Sequence, residues 1–414
     1  VNPQTIQPLT GLRVCMLLNN DIVRDGRVLK KARTLSEAGA RVLIVGQGNE
    51  KSPLLDEEPF DATLATPPYT GDSVLKRWSP AWIIRVIANQ AYKRVGLLRR
   101  LRRGVVMSAF FNKDMQDPAV QFKPHVVEAN DVFTGLAALD IAQATGCILV
   151  YDTHEYFSGY FTGHNNDKYR QQRSDEIEEN LFTHAQQVFA PSTQIAEKIK
   201  ERYPAILVTA LFNSLPFESS IVAPPHRPVR LLDQTSVRSF NGHEAVIKAM
   251  KKLKGKATYT IQGQCIDKRY RQSLETLIAR FGLGDVVFFE DAFTPGEAIG
   301  RASGFDIGLA SYPFDVPSKN LTLANRTFTY LNAGLAIAVC GSKANIELPG
   351  FNEYGTVLDI SSPKTIADSL LPLIDDPALL AHKKERAYAW SQSFSWEHQA
   401  EKYLAAYHGL YARD

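Results

Sequence analysis

The chain has 414 residues, 44% hydrophobic and 22% charged, with 47 Lys+Arg against 44 Asp+Glu for a net charge of +3. A sequence of that size and balance is globular and suggests two domains rather than one. Its charge is too mild to imply nucleic acid, so any electrostatic partner has to come from a local cluster. Four cysteines, Cys15, Cys147, Cys265 and Cys340, fall in or beside apolar runs without CxxC spacing, which predicts buried free thiols in a reducing compartment. The opening VNPQTIQPLT has neither a basic nor an apolar signal region, and no run of 18 apolar residues follows, so the sequence predicts neither a secretion signal nor a transmembrane helix.

In chain order, short apolar runs alternate with helical periodicity, the pattern of βαβ units and parallel sheets, and the fold class is α/β. Strands are predicted at 12–18, 41–46, 125–129, 147–151, 187–190 and 205–211, with helices between them. Around Pro216 the pattern breaks, and Pro224, Pro225 and Pro228 stiffen a linker. A second series follows, with strands at 229–233, 257–262, 286–290, 305–310 and 335–340 and helices at 242–253, 270–281 and 324–333. The expected organisation is a Rossmann-like domain over 1–215, a linker over 216–228, a second Rossmann-like domain over 229–390, and a C-terminal helix over 391–414 that packs back on the first domain. Two such halves bind a ligand at the carboxyl ends of their strands.

After the first strand, LLNNDIVRDGR places Asn19, Asn20, Asp21, Asp25, Gly26 and Arg27 in a turn that either caps a helix or touches a ligand. The GxGxxG fingerprint of dinucleotide binding is absent, since GQGN at 46–49 follows the second strand and lacks the third glycine. After the strand CILVY, the run DTHEYFSGYF puts Asp152, His154 and Glu155 beside four aromatic residues, where His154 is placed to contact a substrate hydroxyl. The spacing of His154 to His164 and His184 fits no metal motif, and no metal or cofactor is predicted. In NLTLANRTFTYLNAG (320–334), a polar loop leads into a helix whose start suits a phosphate, with Arg326 adding a charged donor.

Between Lys76 and Arg103 there are nine basic residues and no acid, interleaved with Trp78, Trp82, Ile83, Ile84, Ile87, Tyr92, Leu97 and Leu98. Such a stretch suits an anionic membrane surface better than nucleic acid, at roughly 1 kcal/mol per basic group. The expected location is cytoplasmic, peripheral on the inner face of the cell membrane.

The runs VRDGRVLKKARTLSEAGARVLIVG, VVEANDVFTGLAALDIAQATGCILVYDTHEYF, LTLANRTFTYLNAGLAIAV and SFSWEHQAEKYLAAYHGLY together resemble bacterial glycosyltransferases of family 4, in the same order along the chain. The resemblance implies a GT-B fold, two facing Rossmann-like domains with the donor nucleotide on the second and the acceptor on the first. It implies transfer of a sugar from a nucleoside-diphosphate sugar to a lipid-linked, polysaccharide or other glycan acceptor, with anomeric retention and no metal. Carried onto this sequence, His154 matches the histidine that contacts the donor sugar, and Asn130 and Asp131 match a polar pair. Asp131, Glu155 and Asp25 are candidate bases should the enzyme invert. The donor side comprises Arg238, Gly263, Asn320, Leu321, Thr322, Asn325, Arg326 and Thr329, and the acceptor side Asn19, Asn20, Asp25, Arg27 and Asn130. Arg238 lies near a phosphate-binding basic residue of the family, although the matching position is Asn241. Where the family's Glu-x7-Glu pattern has its carboxylates, this chain has Leu321 and Thr329. That departure admits a non-catalytic protein that binds a glycan or a partner enzyme, and the fold also admits a nucleotide-sugar epimerase or hydrolase.

Overall fold

The computed structural model describes residues 9–47, 51–65, 115–161, 168–239, 241–312 and 316–412. The basic stretch 76–103 lies outside the described residues. Contacts divide the chain into two compact units, one of residues 1–190, 196–210 and 402–414, the other of 191–195 and 211–401.

The first unit is built on seven parallel strands, β1 (Arg13–Leu18), β2 (Arg41–Gln47), β3 (Asp61–Ala65), β4 (Val126–Asn130), β5 (Ile148–Asp152), β6 (Gln187–Ala190) and β7 (Val208–Ala210). Their order is β3-β2-β1-β4-β5-β6-β7. Helices α1 (Gly26–Glu37), α2 (Gly135–Thr145), α3 (Lys168–His184) and α4 (Thr193–Arg202) connect them, the start of α4 being counted with the second unit. β1 and β4 are buried nearly end to end, as strands of a parallel sheet covered on both faces must be. Their registers, Leu18 opposite Asn130 and Asn130 opposite Asp152, align three carboxyl ends at the point where strand order reverses.

The second unit repeats the plan with β8 (Val229–Gln234), β9 (Ala257–Gln262), β10 (Val287–Glu290), β11 (Ile307–Ala310), β12 (Ala336–Cys340) and β13 (Gly355–Leu358), in the order β10-β9-β8-β11-β12-β13. Its helices are α5 (His243–Leu253), α6 (Lys268–Arg280), α7 (Ala298–Ala302), α8 (Pro317–Leu321), α9 (Asn325–Asn332), α10 (Lys343–Ile346), α11 (Phe351–Tyr354), α12 (Pro363–Asp375), α13 (Pro377–Phe394) and α14 (Trp396–Tyr411), which ends in the first unit. One core packs Leu231, Tyr259, Ile261, Leu309 and Ala338 of the sheet against Ile247 and Met250 of α5 and Ile366 and Leu370 of α12. Tyr330 of α9 lies so close to β11 that a Cβ on Gly308 would sit 2.2 Å from its ring, so this strand position requires glycine.

The strands read from the sequence are present, with corrections at the edges. β3 and β13 were not predicted, because DATLA and GTVL are short edge segments with weak apolar signal. The predicted strand 205–211 is only β7, because the chain is still in a turn and bend at 204–206. The polar loop expected from 320 is in part the short helix α8. Cys15 and Cys340 are buried, whereas Cys147 is half-buried and Cys265 exposed, since Cys265 follows its strand rather than sitting in it.

Candidate functional site

In the first unit the site grows from the carboxyl ends of β1, β4 and β5. Asp25 caps α1 by accepting from the Val28 N–H at 3.0 Å, and the Asn20 amide donates to Asp25 at 3.3 Å. The Asn19 side chain accepts from Gln47 at 2.9 Å, tying the turn after β1 to the end of β2. Both asparagines therefore order this turn.

Arg27 and Asn130, expected on the acceptor side, are both buried at the base of this edge. Arg27 sits in the first turn of α1, buried, and its guanidinium clamps Asp152 with two bonds of 2.8 Å. Asn130 is fully buried and accepts from Lys31, which also donates to Glu128 and Asp152. The three ammonium hydrogens of Lys31 thus have three acceptors, and two buried cations balance two buried carboxylates. The other oxygen of Glu128 accepts from Tyr403 at 2.7 Å and Tyr407 at 2.6 Å, both on α14. Burial alone would raise the Asp152 carboxyl, but Arg27 and Lys31 hold it well below the usual carboxylate range.

On this fixed base stand two strained residues. Asp131 has φ +75° and His154 φ +35°, and non-glycine residues in that region concentrate where a site over-determines them. The His154 imidazole is 17% exposed, with Nε2 3.8 Å from Asp152 and no hydrogen-bond partner. Burial lowers its pKa to about 4, Arg27 and Lys31 adding to the effect and Asp152 opposing it, so His154 is neutral at physiological pH. Oδ1 of Asp131 and Nδ2 of Asn130 are likewise buried without a partner. Burial pushes the Asp131 carboxyl up to about 8 against the pull of the Val132 and Phe133 N–H groups, so at neutral pH it is protonated. Unpaired polar atoms of this kind in a native interior call for a ligand or water.

The turn carrying His154 is held from α3. Oε1 of Glu178 accepts from the Tyr151 hydroxyl at 2.9 Å and lies 3.3 Å from the Thr153 hydroxyl, while its Oε2 has no partner. Burial raises this carboxyl to about 8 as well. Glu155 is half-buried beside it. Phe133, Phe157, Tyr160 and Phe161 form a chain of ring contacts 5.0–5.7 Å apart next to this turn, and Phe133 is exposed, a surface suited to the apolar face of a sugar ring.

In the second unit the corresponding crevice lies at the ends of β8 and β11. Gly242, at φ +77°, brings the loop after β8 within 2.5 Å of the Ser311 carbonyl for any added Cβ, and Gly263 would meet the Thr235 carbonyl at 2.4 Å. Glycine at both places lets backbone approach backbone beneath the site. The loop after β8 is pinned by Asn241, whose amide donates to Thr235 at 3.0 Å and to the Ser236 carbonyl at 2.6 Å. Arg238 on the same loop is exposed.

Arg326, in the first turn of α9, reaches back to Asp233 at the end of β8, donating from Nη1 at 2.6 Å, and lies 5.7 Å from the Tyr312 ring centroid. Its side chain is 9% exposed, and its Nε is buried without a partner. The other donor-side candidates divide. Asn325 is exposed at the helix start, where no side chain caps α9. Asn320 instead accepts from the Lys343 N–H at 2.8 Å, the Thr322 hydroxyl donates to Ser318 at 2.8 Å, and the Leu321 carbonyl accepts from Ser192 at 2.6 Å. Leu321 and Thr329, 8% and 6% exposed, are packed into the interior. Asp233, Lys31, Glu128 and Glu178 were not singled out from the sequence, although each is a charge set within an apolar strand or on the buried stripe of a helix.

Two parallel doubly wound sheets with helices on both sides define the GT-B fold. Residues 27–211 match the family model described as a glycosyl transferase 4-like domain. That match covers less than half of the chain, and the two sheets give the chain the GT-B fold. Its solved structural neighbours span almost its whole length. HepE from Anabaena, solved with UDP, is 13% identical with a TM-score of 0.69, covering 96% of this chain and 100% of that one. Sucrose-phosphate synthase from Thermosynechococcus elongatus is 13% identical with a TM-score of 0.72, covering 97% and 100%. A glycosyltransferase from Rickettsia africae is 14% identical with a TM-score of 0.65, covering 96% and 98%. A search of curated protein sequences finds no match.

Proposed function

We propose that this protein transfers a sugar from a nucleoside-diphosphate sugar to a glycan or lipid-linked acceptor, with retention of the anomeric configuration. The observation that carries the reading is the set of buried, unpartnered polar atoms at the carboxyl edges of the sheets: His154 Nε2, Asp131 Oδ1 and Asn130 Nδ2 in one unit, Arg326 Nε in the other. On the donor side, the Arg326 guanidinium and the uncapped start of α9 stabilise the diphosphate as it departs. Asp233 holds that guanidinium in place. The first unit meets the sugar being transferred and the acceptor, with neutral His154 and protonated Asp131 offering hydrogen bonds to hydroxyl groups rather than acting as bases. Support for UDP as the nucleotide is that HepE was solved with UDP and with UDP-glucose.

Peripheral attachment to the cytoplasmic membrane face belongs to the same proposal and is supported by the composition of 76–103. No helix among the described residues is long and apolar enough to cross a membrane. A competing reading, a binding protein without turnover, is favoured by the buried Leu321 and Thr329, which leave the ribose without the family's carboxylates. Calorimetry with UDP and UDP-glucose, followed by product analysis with glycan and polyprenyl-phosphate-linked acceptors in EDTA, tests the proposal. Binding with transfer supports it, binding without transfer or donor breakdown supports the non-catalytic reading, and failure to bind any nucleoside diphosphate overturns it.

A further inference from the structure

The second unit buries two side chains that packing alone does not call for. Tyr259 in the middle of β9 and His243 at the first position of α5 are both fully buried, where phenylalanine or leucine would fill space without a polar atom to satisfy. Both meet at Asp233, the carboxylate that holds Arg326. Oδ1 of Asp233 accepts from Arg326 at 2.6 Å, while Oδ2 lies 3.3 Å from the Tyr259 hydroxyl and 3.6 Å from Nδ1 of His243. The hydroxyl oxygen and Nδ1 are themselves 3.1 Å apart, and Nε2 of His243 lies 3.4 Å from the Ser236 carbonyl in the loop after β8. Among the described residues, no donor outside this pair reaches Oδ2.

We infer that Tyr259 and His243 are positioning residues for the diphosphate grip: they fix the second oxygen of Asp233, and through it the direction in which Arg326 presents its unpartnered Nε. The inference rests on the proposed binding of a nucleoside diphosphate at Arg326. A carboxylate held at one oxygen can turn about its broad terminal torsion and carry the guanidinium with it, whereas one held at both oxygens cannot. Proton counting sets the order of the chain. Burial and the Asp233 charge push the Tyr259 phenol well up, so it keeps its proton. That proton has two acceptors in reach, and the charged carboxylate binds it more strongly than the imidazole does. Burial lowers the His243 pKa, Arg326 adding to the effect and Asp233 and the Ser236 carbonyl opposing it, so the ring is neutral and carries one N–H. At 3.4 Å the Ser236 carbonyl is beyond the usual hydrogen-bond length, which leaves the ring proton on Nδ1, donating to the Tyr259 oxygen and facing the Asp233 charge. The chain thus runs from His243 to Tyr259 to Asp233, the carboxylate that Arg326 also grips.

Calorimetry with UDP and 15N NMR of the His243 ring test this. Tyr259→Phe removes only the hydroxyl and should weaken UDP about fivefold, the loss of roughly one hydrogen bond. In an Arg326→Ala background the same change should leave UDP affinity where it was, because a residue that acts through Arg326 has nothing left to act on. In the wild type His243 should show the Nδ1-protonated tautomer, and since this needs no variant it decides the matter even where Tyr259→Phe fails to fold. An Nε2-protonated ring, unchanged UDP affinity in Tyr259→Phe, or an equal loss in the Arg326→Ala background would each overturn the inference and leave the nucleotide reading intact. A wild type that binds no UDP would sink that reading and the inference with it.

Discussion

The guanidinium of Arg326 and the carboxylate of Asp233 are joined by a 2.6 Å hydrogen bond in which the carboxylate is fully buried. A cation on the first turn of α9 is thereby fixed across the switch point of the second sheet, with one donor, Nε, still unspent. Arg326→Ala should lower UDP affinity by about 1.5–3 kcal/mol, the range for a hydrogen bond to a charged group, and Thr329→Ala by only about 0.5–1.5 kcal/mol. Asp233→Ala should instead cost about 3–5 kcal/mol of stability, since it leaves a buried cation unpaired. In urea denaturation the double variant should be less damaged than the sum of the two. Equal losses of UDP affinity at Arg326 and Thr329 would make Thr329 the principal ribose contact.

His154→Ala should reduce transfer about a hundredfold with the fold retained, as for a positioned polar group acting on developing charge. Because burial lowers the His154 pKa to about 4, its titration should leave no inflection in the rate between pH 6 and 7. The sign for stability follows: the folded value lies below the unfolded one near 6.5, so His154 lowers stability as pH falls from about 6.5 towards 4. A variant that turns over normally would assign this histidine to structure alone.

Much of this was legible beforehand because the signals were local. Apolar runs set the two sheets, and His154 was readable as a polar residue directly after a buried strand. The buried cluster that joins Asp152, Lys31 and Glu128 was not, because its members come from β5, α1, β4 and α14, far apart in sequence. Yet traces existed: Lys31 falls three residues after Val28 and four before Leu35, on the buried stripe of α1, and Glu128 interrupts the run HVVEA. Arg27 shows the opposite case, since an arginine in a glycine-containing turn resembles a ligand contact until the buried Asp152 carboxylate that occupies it is seen. Leu321 shows the same limit, its position being defined by packing between short helices that periodicity does not reveal.

Asp131 and Glu178 predict an unusual dependence on pH. Burial raises both to about 8, above their unfolded values near 4, so the folded state holds protons that the unfolded chain releases. Their contribution is fully present below about pH 4 and is lost as pH rises through 8. Glu178→Gln keeps a carbonyl oxygen for Tyr151 and Thr153 while removing the charge. Its stability relative to the wild type should therefore improve as pH rises from 6 towards 8 and level off above that, measured by denaturant unfolding. A constant difference across that range would show Glu178 to be ionised throughout. The same titration bears on mechanism, since an inverting reaction using Asp131 as base would accelerate only as pH approaches 8.

The Glu128 cluster gives the last test. Tyr403 and Tyr407, one turn apart on α14, both donate to one oxygen of Glu128, while Lys31 takes the other. Removing one hydroxyl leaves the oxygen with the second donor, so Tyr403→Phe or Tyr407→Phe alone should cost about 0.5–1.5 kcal/mol. With both removed, a buried carboxylate oxygen has no donor, and the double variant should lose more than the sum of the singles. Lys31→Met should be the most damaging, about 3–5 kcal/mol, because it strips the shared cation from Glu128 and Asp152 together. Since Asp152 lies beneath His154, Lys31→Met should also raise the His154 pKa by removing a nearby positive charge, which NMR titration of the ring can follow. Strictly additive tyrosine losses, or an unmoved histidine, would mean that the buried cluster is a set of separate contacts and that its charge does not reach the site above it.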